Sequence, residues 1–263
     1  MHVFYTPDIA QTLELPEEEA GHCLRVLRLG VGEEIMLTDG KGCFYRAVIS
    51  AATQKRCVVK VVEKTEQEPF WKGHLHLALA PTKNMDRMEW LAEKATEIGF
   101  DELTFLNCRF SERKVIKTER VEKIVVSAVK QSLKARKPVV NEMTDFRRFM
   151  EREFTGQKFI AHCYEGEKPL LRDVLRKDED AVVLIGPEGD FSPEEVALAA
   201  EKGFQAVSLG NHYEKDMEMD GKPGLGYGFP VVCLRGRQCV YQCVAKGCGC
   251  SVLVRPDGDG TEV

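Results

Sequence analysis

The sequence predicts an α/β protein built from a β-rich module over residues 1–68 and a parallel-sheet domain over residues 73–210. Short apolar runs separated by turn residues indicate the first part, which we expect to be barrel-like. Apolar strands that alternate with amphipathic helices indicate the second. A third observation is a change in composition, because residues 211–263 are rich in glycine and cysteine and form an atypical tail.

In the first part, a short apolar run at 3–5 predicts a strand, and Pro16 followed by three acidic residues predicts the start of a helix. Three further runs predict strands, at 34–38, 43–50 and 57–62. The residues Asp39-Gly40-Lys41-Gly42 are typical of a hairpin turn. The charged stretch 63–69 has few apolar residues and ends in proline, which predicts a linker.

In the second part, the sequence predicts a parallel sheet connected by helices. The predicted strands lie at 75–80, 103–106, 159–161, 181–185 and 206–209. Apolar residues at helical spacing predict helices at 84–98 and 121–133. A third helix begins after Ser192, with Pro193 in its first turn and Glu195 at the third position.

One loop of the predicted sheet is a candidate binding site. The buried strand that ends at Ile185 continues directly into Gly186-Pro187-Glu188-Gly189, and a capped helix follows. Glycine allows a ligand to approach the backbone closely, and open α/β sheets bind ligands at the carboxyl ends of their strands. A plain turn between strand and helix would explain the same residues equally well.

Composition limits the classes of function. The net charge of −5 argues against a protein that coats nucleic acid by bulk charge. No apolar run reaches 18 residues and no secretory signal is evident, so we expect a cytoplasmic protein without a membrane segment. The cysteines of the tail do not form paired Cys-x-x-Cys clusters, so no metal site is predicted.

A basic belt between Arg109 and Lys137 favours an RNA partner. It contains ten basic and three acidic residues, a local balance of +7. A local concentration of positive charge is typical of phosphate binding. A solvated helix face with internal pairs such as Glu119 and Lys123 is the alternative interpretation.

An ordered set of motifs over residues 1–210 resembles the RsmE family of SPOUT methyltransferases. The matching segments are His22-x-x-Arg25-Val26-Leu27-Arg28, residues 83–99, Ser111-Glu112-Arg113, Ala128-x-x-Gln131-Ser132, residues 186–192 with Glu195, and Val207-Ser208-Leu209-Gly210.

The resemblance implies a PUA-like β-barrel followed by a SPOUT α/β domain with a trefoil knot, and a homodimer. The implied reaction is methyl transfer from S-adenosylmethionine to N3 of a uridine in 16S rRNA of the small ribosomal subunit. The implied cofactor-binding residues are Ala161, His162, Leu184, Ile185, Gly186, Pro187, Glu188, Gly189, Leu209 and Gly210. Together with the charge pattern, it indicates RNA contact by Arg25, Arg28, Lys83, Arg109, Arg113, Lys114, Lys130, Gln131 and Lys134.

The catalytic group is less well defined by the sequence. His162 and Glu188 are the candidates for the base that removes the N3 proton, and a cation that stabilises the uridine anion is an alternative device.

The match stops after Gly210. The family continues with a segment of the type Ile-Leu-Arg-x-Glu-Thr-Ala, which completes the knot, whereas this chain continues Asn211-His212-Tyr213. The tail is therefore a genuine variant, a metal-binding extension or a displaced reading frame. Two rival functions follow: a catalytically impaired relative that binds RNA or cofactor, and an unrelated α/β enzyme with a nucleotide ligand.

Overall fold

A computed structural model describes residues 2–69 and 71–209 of the chain. Two compact units are present. The first contains residues up to Lys72, the short segment Ala92–Glu97 and the segment Glu119–Val139, and the second contains the remaining described residues. The predictions for Gly210 and for residues 211–263 lie outside the described residues.

The first unit contains a four-stranded sheet in the order β1-β2-β3-β4. Its elements in chain order are β1 (Val3–Tyr5), α1 (Ile9–Thr12), α2 (Glu17–Gly21), a π-helical turn (His22–Val26), β2 (Glu34–Thr38), β3 (Cys43–Ala52) and β4 (Cys57–Glu66). β1 pairs with β2 in parallel, and the other two pairings are antiparallel. Apolar residues of the strands and helices form one core, which includes Phe4, Ile9, Ile35, Leu37 and Ile49.

The predicted hairpin between β2 and β3 is confirmed. The Asp39 carboxylate accepts hydrogen bonds from the backbone N–H groups of Lys41 at 2.7 Å and Cys43 at 3.1 Å. Gly42 has a φ of 119°, a conformation that favours glycine. Turn residues and side-chain hydrogen bonds therefore fix this connection locally.

The prediction of a linker over residues 63–69 is wrong for its first half, because β4 continues to Glu66. The added residues pair with the start of β3, where Arg46 faces Glu63. The Arg46 guanidinium contacts Glu63 at 3.1 Å and Glu34 at 3.2 Å. The charged residues thus occupy the solvent side of an antiparallel strand, where opposite charges stabilise the pairing.

The second unit contains a six-stranded sheet in the order β10-β8-β9-β5-β6-β7. The elements after β4 are β5 (Leu75–Leu79), α3 (Met85–Ile98), β6 (Glu102–Asn107), α4 (Thr118–Gln131), β7 (Val139–Asp145), α5 (Phe146–Met150), β8 (Gln157–Ala161), α6 (Leu171–Val174), β9 (Ala181–Ile185), α7 (Pro193–Glu201) and β10 (Gln205–Val207). Most of α4 and most of the second half of α3 cluster with the first unit.

The five strands from β10 to β6 run parallel, as the sequence predicted. A core of strand and helix residues supports the sheet, including Leu106, Phe149, Ile160, Leu184 and Phe191. The α/β prediction is confirmed. The segment that would complete a knot lies beyond residue 209, so the knot stays a prediction.

Candidate active site

Five parallel strands end level with one another, and the loops that follow them form what we call the carboxyl edge. Leu79 of β5 pairs with both Phe105 of β6 and Ile185 of β9. Ala161 of β8 pairs with Ile185 and with Val207 of β10. The predicted cofactor residues from Ala161 to Leu209 therefore belong to this edge, whereas Gly210 lies outside the described residues.

The loop Gly186–Gly189 is packed tightly at the centre of the edge. A side chain on Gly186 would lie 3.1 Å from the ring of Phe191, which is fully buried. The backbone N–H of Asp190 donates to the Pro187 carbonyl at 2.9 Å and closes the turn. Asp190 adopts a φ of 63°, a region in which aspartate is tolerated. Close packing and the turn fix the path of this loop.

Asp190 and Tyr164 tie this loop to the one that follows β8. The Asp190 carboxylate accepts a hydrogen bond from the backbone N–H of Cys163 at 2.6 Å. The Tyr164 hydroxyl donates to the Phe191 carbonyl at 2.7 Å. Sequence reasoning missed both residues as parts of the site. Their only signal was a position next to a predicted loop.

Glu188 has one oxygen engaged and one without a partner. Its Oε1 accepts a hydrogen bond from the backbone N–H of Lys83 at 2.8 Å, which joins the loops after β9 and β5. Its Oε2 is buried and has no hydrogen-bond partner among the described residues. A buried carboxylate oxygen without a partner is costly, so a donor supplied by a ligand would be stabilised here.

His162 offers a second unpaired atom. Its Nδ1 is buried and lacks a partner within the described ranges. Burial, followed by the positive charge of Lys168, lowers the pKa of the imidazole, while Asp190 opposes the shift. The ring is therefore neutral at pH 7, and a neutral imidazole carries one nitrogen that accepts a proton.

Asn107, the last residue of β6, adds a third buried atom. Its Oδ1 has no partner in the described part of the chain. The sequence analysis did not single out Asn107. A polar residue directly after the apolar residues Phe105 and Leu106 was the available signal, because that position lies at the carboxyl edge.

The predicted helix start at Ser192 is confirmed, and one of its capping residues also binds a neighbouring loop. Ser192 and Glu195 form a capping box at the beginning of α7. The second Glu195 oxygen accepts a hydrogen bond from the backbone N–H of Arg109 at 2.8 Å. Glu195 therefore connects α7 with the loop after β6.

The predicted RNA-binding residues of the second unit differ in their availability. Lys83, Arg109 and Lys114 are exposed. The Arg113 guanidinium instead donates to the carbonyls of Thr82, at 3.1 Å, and Lys83. Arg113 thus holds the loop after β5 from one side, while Glu188 holds it from the other.

The predicted RNA-binding residues of the first unit also divide into two groups. Arg25, Arg28 and Gln131 are exposed, and the first two belong to or follow the π-helical turn. Lys130 contacts Glu19 at 2.6 Å, with side chains 25% and 11% exposed, so the charge of Lys130 is already balanced. Lys134 is buried. Only part of the predicted belt is therefore open to phosphate in this structure.

At the opposite end of the sheet, His74, His76 and Glu102 surround a cavity of 390 Å³. His76 is buried, and its Nε2 lies 2.8 Å from the Thr104 hydroxyl. Desolvation lowers the pKa of His76 to about 4.

Within the described residues, no group of three or more His, Cys, Asp or Glu side chains is arranged to hold a metal ion. No described helix is long and apolar enough to cross a bilayer.

Comparisons with known proteins agree with this architecture. The family model described as an RNA methyltransferase domain matches residues 69–213, and one described as an RNA methyltransferase PUA domain matches residues 15–62. The chain is 32% identical to "Ribosomal RNA small subunit methyltransferase E" of Aquifex aeolicus over 219 residues, covering 80% of this chain and 91% of the relative.

Two solved structures extend the comparison. A probable rRNA-methyltransferase from Porphyromonas gingivalis is 43% identical with a TM-score of 0.75, covering 80% of this chain and 90% of the other. A ribosomal RNA small subunit methyltransferase E from Neisseria gonorrhoeae, bound to S-adenosyl methionine, is 27% identical with a TM-score of 0.69, covering 80% and 89%. By its sequence and its fold, the chain belongs to the ribosomal RNA small subunit methyltransferase E family.

Proposed function

We propose that the chain methylates N3 of a uridine in 16S rRNA of the small ribosomal subunit, with S-adenosylmethionine as the methyl donor. Membership of an rRNA methyltransferase family and the cofactor of the Neisseria gonorrhoeae structure support the general reaction. The observation that carries the proposal is the carboxyl edge itself, where a glycine-containing loop lies beside buried acceptors that lack partners.

The residues of the carboxyl edge fit this cofactor. The loop Gly186–Gly189 follows the end of β9, and open α/β sheets bind ligands at such an edge. Unpaired acceptors on Glu188 and His162 match a ligand that carries hydroxyl and amino donors. S-adenosylmethionine supplies an electrophilic methyl group on a sulfonium. Ala161, His162, residues 184–189 and Leu209 would hold it, as the resemblance implies.

Attack through N3 requires that uridine lose its N3 proton, which is about as acidic as a phenol, with a pKa of about 10. Glu188 Oε2 and His162 Nδ1 are the two acceptors that we propose for this proton. Glu188 is held in place by the Lys83 N–H, and His162 is neutral because burial lowers its pKa. Either group would act as a general base.

Primer extension on methylated RNA tests the position of the methyl group. Small subunits that lack the modification are incubated with the chain and S-adenosylmethionine, and their RNA is then copied by reverse transcriptase. An N3-methyl group blocks the Watson–Crick edge, so we expect a stop at one uridine. Incorporated methyl without a stop would contradict N3 as the target.

Glu188→Gln and His162→Asn then identify the base. We expect the variant that removes the base to lose about 100-fold or more in kcat, whereas a variant that removes a cofactor contact should lower the affinity for S-adenosylmethionine. Glu194→Gln, at an exposed position in the first turn of α7, is the matched control and should retain activity. Full activity in both test variants would rule out a carboxylate or imidazole base.

The second candidate is a catalytically impaired relative that binds RNA or cofactor. The absence of the Arg-x-Glu-Thr segment after Gly210 favours it. Titration calorimetry with S-adenosylmethionine separates the two in part, because an active enzyme must bind the cofactor. Methyl transfer to small subunits that lack the modification decides between them. The homodimer and the cytoplasmic location stay predictions of the resemblance.

A further inference from the structure

Phe110 presents an aromatic ring to solvent at the carboxyl edge. Its side chain is 44% exposed, although phenylalanine is normally buried. A phenyl ring has no polar atom, so a hydrogen bond does not explain this position. Single exposed apolar residues are common, and the case for a ligand therefore depends on where the ring lies and how it is held.

The turn that carries Phe110 is rigidly held. The Cys108 N–H donates to the Ser111 hydroxyl at 3.0 Å, and the Ser111 N–H donates to the Cys108 carbonyl at 3.1 Å. The Arg109 N–H is bound by Glu195, which is 9% exposed. Residues on both sides of Phe110 are thus fixed, and the ring is presented with little loss of entropy on binding.

The ring lies directly beside the predicted cofactor loop. A side-chain carbon on Gly189 would lie 3.0 Å from the Cβ of Phe110, so the two residues are in contact. Arg109, which is exposed, precedes the ring in the chain, and the exposed Lys114 is held near it because its ammonium donates to the Cys108 carbonyl at 3.1 Å. Alternation of aromatic and cationic side chains is typical of surfaces that bind single-stranded nucleic acid.

The proposed reaction defines what such a ring would contact. N3 lies on the Watson–Crick edge, so a uridine that reacts there must be unpaired and taken out of its helix. Bases displaced in this way stack on aromatic side chains. Tyr164, 39% exposed, is the other candidate at this edge, but its hydroxyl already joins two loops by bonding to Phe191.

We propose that Phe110 is a stacking platform for an unpaired base of the RNA substrate, a binding role that rests on the proposed function. The ring receives the face of the base, while Arg109 and Lys114 neutralise adjacent phosphates. Its contribution is to the binding of RNA, so the affinity for S-adenosylmethionine should not depend on it.

The test compares Phe110→Leu, which keeps the apolar bulk but removes the π face, with Phe110→Trp, which keeps both. Val115→Ala is the matched control, because Val115 is on the same segment and is 74% exposed. The full chain is titrated with a short oligouridylate and with an abasic oligoribose phosphate of the same length. The KM for small subunits and the affinity for S-adenosylmethionine are measured in parallel.

We expect Phe110→Leu to weaken oligouridylate binding by about 5-fold to 150-fold, the range measured for single stacking contacts. Its KM should rise similarly, with abasic binding and cofactor affinity unchanged. Phe110→Trp and Val115→Ala should behave like the wild type. Equal behaviour of Phe110→Leu and Val115→Ala would overturn the inference, as would equal losses on both oligomers.

These outcomes separate the inference from the proposed function. If the wild type binds oligouridylate but transfers no methyl group to subunits, the proposed function fails and the stacking comparison is still decided by binding. If the wild type methylates subunits and Phe110→Leu has an unchanged KM, only the inference fails. If the wild type neither binds oligouridylate nor methylates subunits, both the inference and the proposed function fail.

Discussion

At the scale of single residues, the two glycines of the loop differ in what faces them. Gly186 is buried and its α carbon faces the ring of Phe191, which is itself fully buried. Gly189 is exposed and faces Phe110, which is half-exposed. An added carbon at Gly186 would press on a buried ring that has no space into which to move, because the core around it is packed.

We therefore expect Gly186→Ala to lower the free energy of unfolding by about 1–3 kcal/mol, as overpacking of a core does. Gly30→Ala is the control and should cost less, because the nearest atom to its added carbon, an oxygen of the Glu33 carboxylate, lies 3.7 Å away. Urea denaturation of both variants measures the difference. Equal losses would show that the packing around Phe191 does not distinguish the two positions.

The residues of the site were predictable to the extent that their chemistry is local. Gly186–Gly189 and Ser192 were identified from the residues next to them in the chain. Asp190 was missed because its role depends on Cys163, which is 27 residues away. The bond between Glu195 and Arg109 spans 86 residues, and a single sequence carries no signal for such a pair.

At the scale of elements, the strands that the sequence missed or shortened are those with polar faces. β7 contains Asn141 and Glu142, and it occupies the edge of the sheet, where one side is unpaired. The Asn141 amide donates to Glu102 at 2.6 Å and to Thr104 at 2.9 Å, both in β6. Side-chain hydrogen bonds between strands replace the apolar pattern on which prediction relies.

The same network makes the packing of β5 against β6 sensitive to pH. Desolvation lowers the pKa of His76 from 6.5 to about 4. Between these values the unfolded chain binds a proton that the folded chain does not, so acidification favours unfolding. Burial of Glu102 tends to raise the pKa of its carboxyl. The charges of His76 and His74 and the hydrogen bonds from His74 and Asn141 outweigh this effect, so the pKa of Glu102 is lowered. Protonation of Glu102 below about pH 4.5 therefore also lowers the free energy of unfolding as the pH falls.

We expect the free energy of unfolding to fall by roughly 2–3 kcal/mol between pH 6.5 and pH 4 on account of His76. His76→Gln should flatten this dependence, because glutamine does not titrate. His22→Gln is the control, since the side chain of His22 is exposed. Chemical denaturation at a series of pH values measures the slope, and an unchanged slope in His76→Gln would contradict the assignment.

At the scale of the whole molecule, an acidic chain binds RNA only through those local cations that are not already paired. Arg109 is exposed at the carboxyl edge, whereas Lys130 forms a half-buried ion pair with Glu19. Each released counterion contributes about 0.7 to the slope of log affinity against log salt for single-stranded RNA. The number of basic residues in the sequence therefore overestimates the number of phosphate contacts.

We expect Arg109→Ala to reduce the salt slope of RNA binding by about 0.7. Lys130→Met should leave the slope unchanged but lower the free energy of unfolding by about 1.5–3 kcal/mol, because Glu19 loses its charged partner. RNA titrations at several salt concentrations and urea denaturation measure the two effects. A reduced slope in Lys130→Met would show that its pair with Glu19 opens to bind phosphate.

The sequence after Gly210 tests the function at this scale, because the Arg-x-Glu-Thr segment that the resemblance leads us to expect is replaced there. The loops after β8 and β9 supply two walls of the proposed cofactor site, and the third strand end leads into this segment. Replacing residues 211–263 with the corresponding segment of the Aquifex aeolicus relative would place a segment of the same family on an unchanged body.

We expect this chimera to bind S-adenosylmethionine at least about tenfold more tightly than the chain itself, a gain of about 1.4 kcal/mol, because a third wall adds contacts to the two present. Calorimetry measures both affinities. The control is the same chimera with its motif arginine changed to alanine, which separates cofactor binding from methyl transfer. Equal affinities for chimera and chain would contradict the expectation that the family's segment adds a third wall to the site.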